Sequence, residues 1–117
     1  MTKARFAVAM LLALTTAASA QTNPQSTANE MLSGCKGFIG DKTPPSLKEA
    51  LGQGRCGGYL AALVYARSVF SCVPEGATQE QGARIVVKYI EARPKRMDEP
   101  FGKLAVQAAE EAWPCKR

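Results

Sequence analysis

The residues with most chemistry to offer in this 117-residue chain are four cysteines, at positions 35, 56, 72 and 115. A cysteine nucleophile needs a base or cation to hold its thiolate, most often histidine. The sequence contains no histidine, which excludes every Ser-His and Cys-His pair and every histidine-bearing metal site. No two cysteines stand at Cys-x-x-Cys spacing, so neither a zinc knuckle nor a thioredoxin-type dithiol is indicated. An even count instead suits two disulfides, provided the chain reaches an oxidising compartment.

Other motifs carry less. Gly52-Gln53-Gly54-Arg55-Cys56-Gly57 has the letters of a dinucleotide fingerprint. That motif works only between a strand and a helix N-terminus, and here it falls inside a helical stretch. Gly54-x-x-x-Gly58 reads better as a helix-contact motif. The acidic pairs Asp98/Glu99 and Glu110/Glu111 are adjacent residues that point apart on a helix. Neither makes a shared carboxylate site, and no motif supports an enzyme or a cofactor.

Charge narrows the partners. Fifteen Lys+Arg against ten Asp+Glu make a formal +5. The densest basic stretch, Arg93, Lys95 and Arg96, lacks interleaved aromatics on which bases would stack, so a nucleic-acid partner is not expected.

The compartment is readable at the start. Lys3 and Arg5 precede a short apolar run, Phe6 to Leu14, and Ala18-Ser19-Ala20 is a small-residue cleavage signal. The run is too short for a permanent membrane helix, and no cysteine follows the cleavage signal to carry a lipid. Residues 1–20 therefore read as a signal peptide for export to the periplasm, without a membrane anchor. Residues 21–26 form a polar leader, and residues 27–117 one domain. With 46% hydrophobic residues, the chain can bury a core.

Four segments of helical period must build it. Thr27-Ala28-Asn29-Glu30, Ser46-Leu47-Lys48-Glu49 and Thr78-Gln79-Glu80-Gln81 each match a capping box. The first predicts a helix burying Met31, Leu32, Cys35 and Phe38, stopped by Gly37 and Gly40. The second predicts the longest helix, with Leu47, Leu51, Tyr59, Leu60, Leu63, Val64, Val69 and Phe70 on one stripe. Its glycines 52, 54, 57 and 58 each cost about 1 kcal/mol relative to alanine, so they either kink it or admit another backbone, and close approach is favoured. The third stripe is Ala83, Val86, Val87 and Ile90, ended by Pro94. Asp98 is placed to cap a last helix burying Phe101, Leu104, Ala105, Ala108 and Ala112. No stretch alternates with period two, so the fold class is all-α, a small disulfide-bonded bundle of about four helices.

Four cysteines allow three pairings. An up-down bundle brings the ends of the second and fourth helices to one pole, which pairs Cys72 with Cys115 and leaves Cys35 for Cys56. Each bridge stabilises by on the order of 3–4 kcal/mol in the chain-entropy model.

The frame as a whole resembles a known family. Glu30-Met31-Leu32-Ser33-Gly34-Cys35, Gly54-x-Cys56-x-Gly58-Tyr59 and Cys72-Val73-Pro74-Glu75-Gly76-Ala77-Thr78 look like the Rap/Tai family of type VI secretion amidase immunity proteins. The likeness continues through Val86-Val87-Lys88-Tyr89-Ile90, Pro94 and Ala112-Trp113-Pro114-Cys115. It implies a periplasmic helical protein that does no chemistry. Such a protein occludes the groove of a secreted, papain-like peptidoglycan amidase, and it often forms a homodimer.

The resemblance supplies no contact residues. The turn carrying Arg93, Lys95, Arg96, Asp98 and Glu99 is the charged patch best suited to steering a partner, with Asp41 to Pro45 and Glu75 to Ala77 as further exposed turns. Two other classes share the size and the cysteine frame. One is an acid-stress chaperone that binds unfolded clients, for which ten acidic residues are a modest supply of protonation sites. The other is an orphan envelope protein without an effector.

Overall fold

The computed structural model describes residues 26–40, 43–66 and 72–116. The expected signal peptide, the leader up to residue 25, Asp41 and the stripe residues Val69 and Phe70 lie outside the described residues. Among the described residues are four α-helices: α1 (Ala28–Ile39), α2 (Leu47–Tyr65), α3 (Gln79–Glu91) and α4 (Phe101–Ala112), with a 3-10 turn at Pro94–Arg96. Helix α3 packs against each of the other three. No membrane-spanning helix is found among the described residues.

The expected caps start three helices. Thr27 Oγ1 accepts from the Glu30 N–H at 3.4 Å, and the Glu30 carboxylate accepts from the Thr27 N–H at 2.9 Å, a complete capping box. Ser46 Oγ accepts from the Glu49 N–H at 3.2 Å, but its hydroxyl, not its backbone N–H, donates to the Glu49 carboxylate at 2.9 Å. Thr78 Oγ1 accepts from the Gln81 N–H at 3.1 Å. Gly37 does not stop α1, which continues to Ile39 and closes with the Gly40 N–H on the Lys36 carbonyl at 3.0 Å.

Helix α4 begins differently from the expectation. Asp98 is exposed and makes no cap. The segment leading into α1 and the segment leading into α4 instead pair at an antiparallel bridge between Thr27 and Pro100. The Phe101 N–H donates to the Ser26 carbonyl at 2.8 Å. In return, the Ala28 and Asn29 N–H groups donate to the Glu99 and Met97 carbonyls at 3.0 and 2.9 Å. Backbone from residues about seventy positions apart thus satisfies the orphan donors that each helix start leaves. Ser26, counted with the leader by its polarity, belongs to this joint.

The core draws on all four helices: Met31, Leu32 and Cys35; Cys56, Leu60 and Leu63; Ala83, Val86, Val87 and Ile90; Phe101, Leu104, Ala105, Ala108 and Ala109. At the end of α4, Ala109 is buried while Ala112 is exposed, since the helix stops there and its last turn runs past the neighbouring packing. Phe101 meets Tyr59 edge-on, with ring centroids 5.3 Å apart, an arrangement aromatic pairs favour.

The broad stripe expected on α2 is half wrong. Leu47 and Leu51 are 77% and 60% exposed. They lie on the opposite side of α2 from Cys56, Leu60 and Leu63, the face that packs on the core; Leu60 reaches toward Gly82 of α3, and Tyr59 meets α4. The glycines explain the geometry. A Cβ on Gly34 would collide with the backbone carbonyl of Gly52, and one on Gly52 would stand 3.4 Å from the Gly34 Cα. Close approach of backbones is therefore what Gly52 permits, with Gly34 of α1 as its partner. Gly54 and Gly58 face open space, so Gly54-x-x-x-Gly58 is not the contact motif.

This approach sets the first disulfide, Cys35–Cys56, with Cα atoms 5.1 Å apart. The second joins Cys72 to Cys115 across 4.9 Å, and the Cys72 N–H donates to the Trp113 carbonyl at 3.3 Å beside it. Both pairs follow the order of an up-down bundle.

Candidate partner-binding surface

Two surfaces compete as places for a partner: the charged turn after α3, and a groove between α1 and α2. Arg93 lies over the Tyr89 ring, 3.6 Å from its centroid, a cation–π contact. It also donates to the Tyr89 carbonyl at 3.1 Å and to the Glu111 carboxylate of α4 at 3.0 Å. Arg96 grips Glu99 with two bonds, at 2.6 and 2.9 Å, and reaches the Gln107 amide oxygen at 2.7 Å and the Tyr89 hydroxyl at 3.2 Å. Lys103 adds a second cation to Glu99 at 2.9 Å.

The electrostatics follow. The hydrogen bonds from Arg96 and then Lys103 push the Glu99 carboxyl down to about 2, and the Glu99 bond raises Arg96 above its ordinary range. Of the five residues expected to steer a partner, Arg93, Arg96 and Glu99 thus tie the turn to α3 and α4. Lys95 and Asp98 are exposed, and no ion pair engages them among the described residues. The structure brings the five residues into one turn but leaves only two of them turned outward and unengaged.

The groove has the opposite character. Glu30, Ser33, Gly34 and Gly37 of α1 form one wall, and Ser46 with Leu47, Lys48, Glu49, Leu51, Gly52, Gln53 and Arg55 of α2 form the other, around a hollow of about 850 Å³. Leu47 and Leu51, one helical turn apart, stand exposed along it. Arg55 closes one side through a hydrogen bond to the Ser26 hydroxyl. Sequence reasoning missed this surface because leucines four apart on a helix look like core. The available signal was the polar company of Leu47: Ser46, Lys48 and Glu49 surround it. A smaller hollow between α1 and α3 carries Lys36, Arg84 and Lys88, but Lys36 is paired with Glu91 at 2.5 Å and Arg84 with Glu80 at 2.6 Å.

No chemical centre competes with these surfaces among the described residues. All four cysteines are in disulfides, and no three Cys, Asp or Glu side chains gather as a metal cluster. What the arrangement offers is a rigid frame and two exposed faces of different chemistry.

Compared with known proteins, residues 27–115 match the sequence pattern of the Rap1a immunity proteins, which spans all four helices and all four cysteines. No curated protein and no solved structure matches the chain.

Proposed function

The chain belongs to the family of Rap1a immunity proteins, and from that premise we propose that it is exported to the periplasm and there binds and blocks a peptidoglycan amidase delivered by type VI secretion. The family match carries the immunity role. The amidase comes from the resemblance of the cysteine frame, and the periplasm from the export signal read in residues 1–20. Two disulfides suit an oxidising compartment. A cross-linked bundle loses little conformational entropy on docking, which favours tight inhibition without any chemistry by the inhibitor. A homodimer is the proposed assembly of the free protein.

The groove beside Leu47 and Leu51 supplies apolar contact, while Lys95 and Asp98 supply charge for steering. An acid-stress chaperone fits less well. Acid-induced loosening relies on protonating many carboxylates, and ten acidic residues are a modest supply.

The deciding experiment expresses the full chain together with a papain-like amidase directed to the periplasm. Protection from lysis and a complex stable at micromolar concentrations are expected. Undiminished lysis with no complex across the available amidases overturns the amidase reading. Suppression of client aggregation at low pH, without amidase binding, would favour the chaperone.

A further inference from the structure

The two disulfides differ in what can reach them. Cys35 and Cys56 are completely buried, enclosed in the core contributed by all four helices. Cys72 and Cys115 are both exposed, as are their neighbours Pro74, Pro114 and Lys116. Thiol–disulfide exchange begins when a thiolate attacks a disulfide sulfur, so access sets its rate. A buried bond reacts only after the surrounding structure opens, and an exposed bond reacts from the folded state.

The exposed bond also joins two segments that lie outside the helices. It ties the segment ahead of α3 to the residues after α4. Beside it, among the described residues, the Cys72 N–H donates to the Trp113 carbonyl. Val73 is buried, and Trp113 is half-buried and packs against the core. The contacts among the helices, the Thr27–Pro100 bridge and the Cys35–Cys56 bond do not pass through it.

We propose that Cys72–Cys115 is a reducible latch, opened by dithiol reductants while the protein stays folded, and that Cys35–Cys56 is the permanent bond. In the first step a reductant thiolate attacks one exposed sulfur, the S–S bond breaks, and the other cysteine leaves as a thiolate. The second thiol of the reductant then displaces the mixed disulfide. The reductant ends as a disulfide, and Cys72 and Cys115 end as two thiols that have gained two electrons and two protons. Residues 113–116 and 72–77 are then no longer joined, so their order depends on redox state.

The test uses the oxidised, exported protein with dithiothreitol as the probe. Aliquots are quenched with an alkylating agent and mapped by peptide mass spectrometry, while far-UV circular dichroism follows the helices. Alkylation of Cys72 and Cys115 at least about tenfold faster than that of Cys35 and Cys56, with the helical signal retained, is expected for exchange without unfolding. Equal rates, earlier opening of Cys35–Cys56, or loss of helix together with the opening of Cys72–Cys115 would overturn the proposal. The double variant Cys72→Ser/Cys115→Ser gives a second check. It should fold with Cys35–Cys56 formed and show faster proteolysis after Ala112; failure to fold, or unchanged proteolysis, counts against the latch.

Discussion

The turn at Arg93–Glu99 and the groove beside α2 are both open to solvent, yet their side chains are in opposite states. In the turn, the conspicuous charges are already used: Arg93 on Tyr89 and Glu111, Arg96 on Glu99, Tyr89 and Gln107. In the groove, Leu47 and Leu51 have water where a core helix would have neighbours. A dense run of charge is therefore poor evidence of a waiting interface, because ionic side chains satisfy one another locally. Exposed leucines have no such internal outlet, and a pair on one face is the more informative feature.

Predictions that break or sharpen this contrast run from large to small. The floor of the groove is the most sensitive point. Gly34→Val should destabilise by about 3 kcal/mol or more, because the added side chain meets backbone at Gly52, which cannot move aside cheaply. Gly54→Ala, on the open face of α2, should instead stabilise by about 0.5–1 kcal/mol. Urea unfolding of both variants measures the difference, and equal effects would contradict the glycine contact.

The walls of the groove come next. Leu47→Glu combined with Leu51→Glu should change stability by no more than about 1 kcal/mol, since neither residue is buried. The same pair should weaken binding of the proposed amidase partner at least about tenfold, as loss of central apolar anchors does. Calorimetric titration gives the affinity; an unchanged value moves the interface elsewhere.

The turn should respond the other way round. Arg96→Ala removes bonds to three residues and should lower the melting temperature by a few degrees, with amidase affinity changed by less than about threefold. A loss of affinity with no change in melting temperature would reverse the roles assigned to the two regions.

Acid sharpens the same point. Glu99 binds its proton more weakly in the folded protein, at about 2, than its ordinary value of 4.5. Its stabilising contribution is therefore fully present above the ordinary value and lost as pH falls from there toward 2. The difference in melting temperature between the native protein and Glu99→Gln should stay constant from about pH 7 to 5 and shrink below about 4.5. Smallest of all, Lys95→Glu should alter the association rate by no more than a few-fold, with an effect that fades at high salt.

Much of this molecule was legible in its residues. Three of the four helix starts follow from Thr27, Ser46 and Thr78, because a cap is a bond to a backbone N–H three residues on. The buried stripe of α3 follows from the spacing of Ala83, Val86, Val87 and Ile90. The disulfide pairing follows from helix order, since chain connectivity already limits which ends can meet. The start of α4 was not legible: its donor finds the Ser26 carbonyl, and no local pattern announces an acceptor so distant in sequence.

The candidate surface was less legible than the fold. Sequence placed charge at Arg93 to Glu99 correctly but could not tell an outward charge from one held by Tyr89, Gln107 and Glu111. It put Leu47 and Leu51 on the buried stripe of α2, although at about 100° per residue they point away from Cys56, Leu60 and Leu63, and the structure leaves them exposed. Caps, periods and cysteine parity are set by bonds within a few residues or by chain order, and a sequence states these directly. Whether a given face is covered depends on where two helices cross. Here that crossing is decided by Gly34 against Gly52, a backbone contact that exists only once the chain has folded.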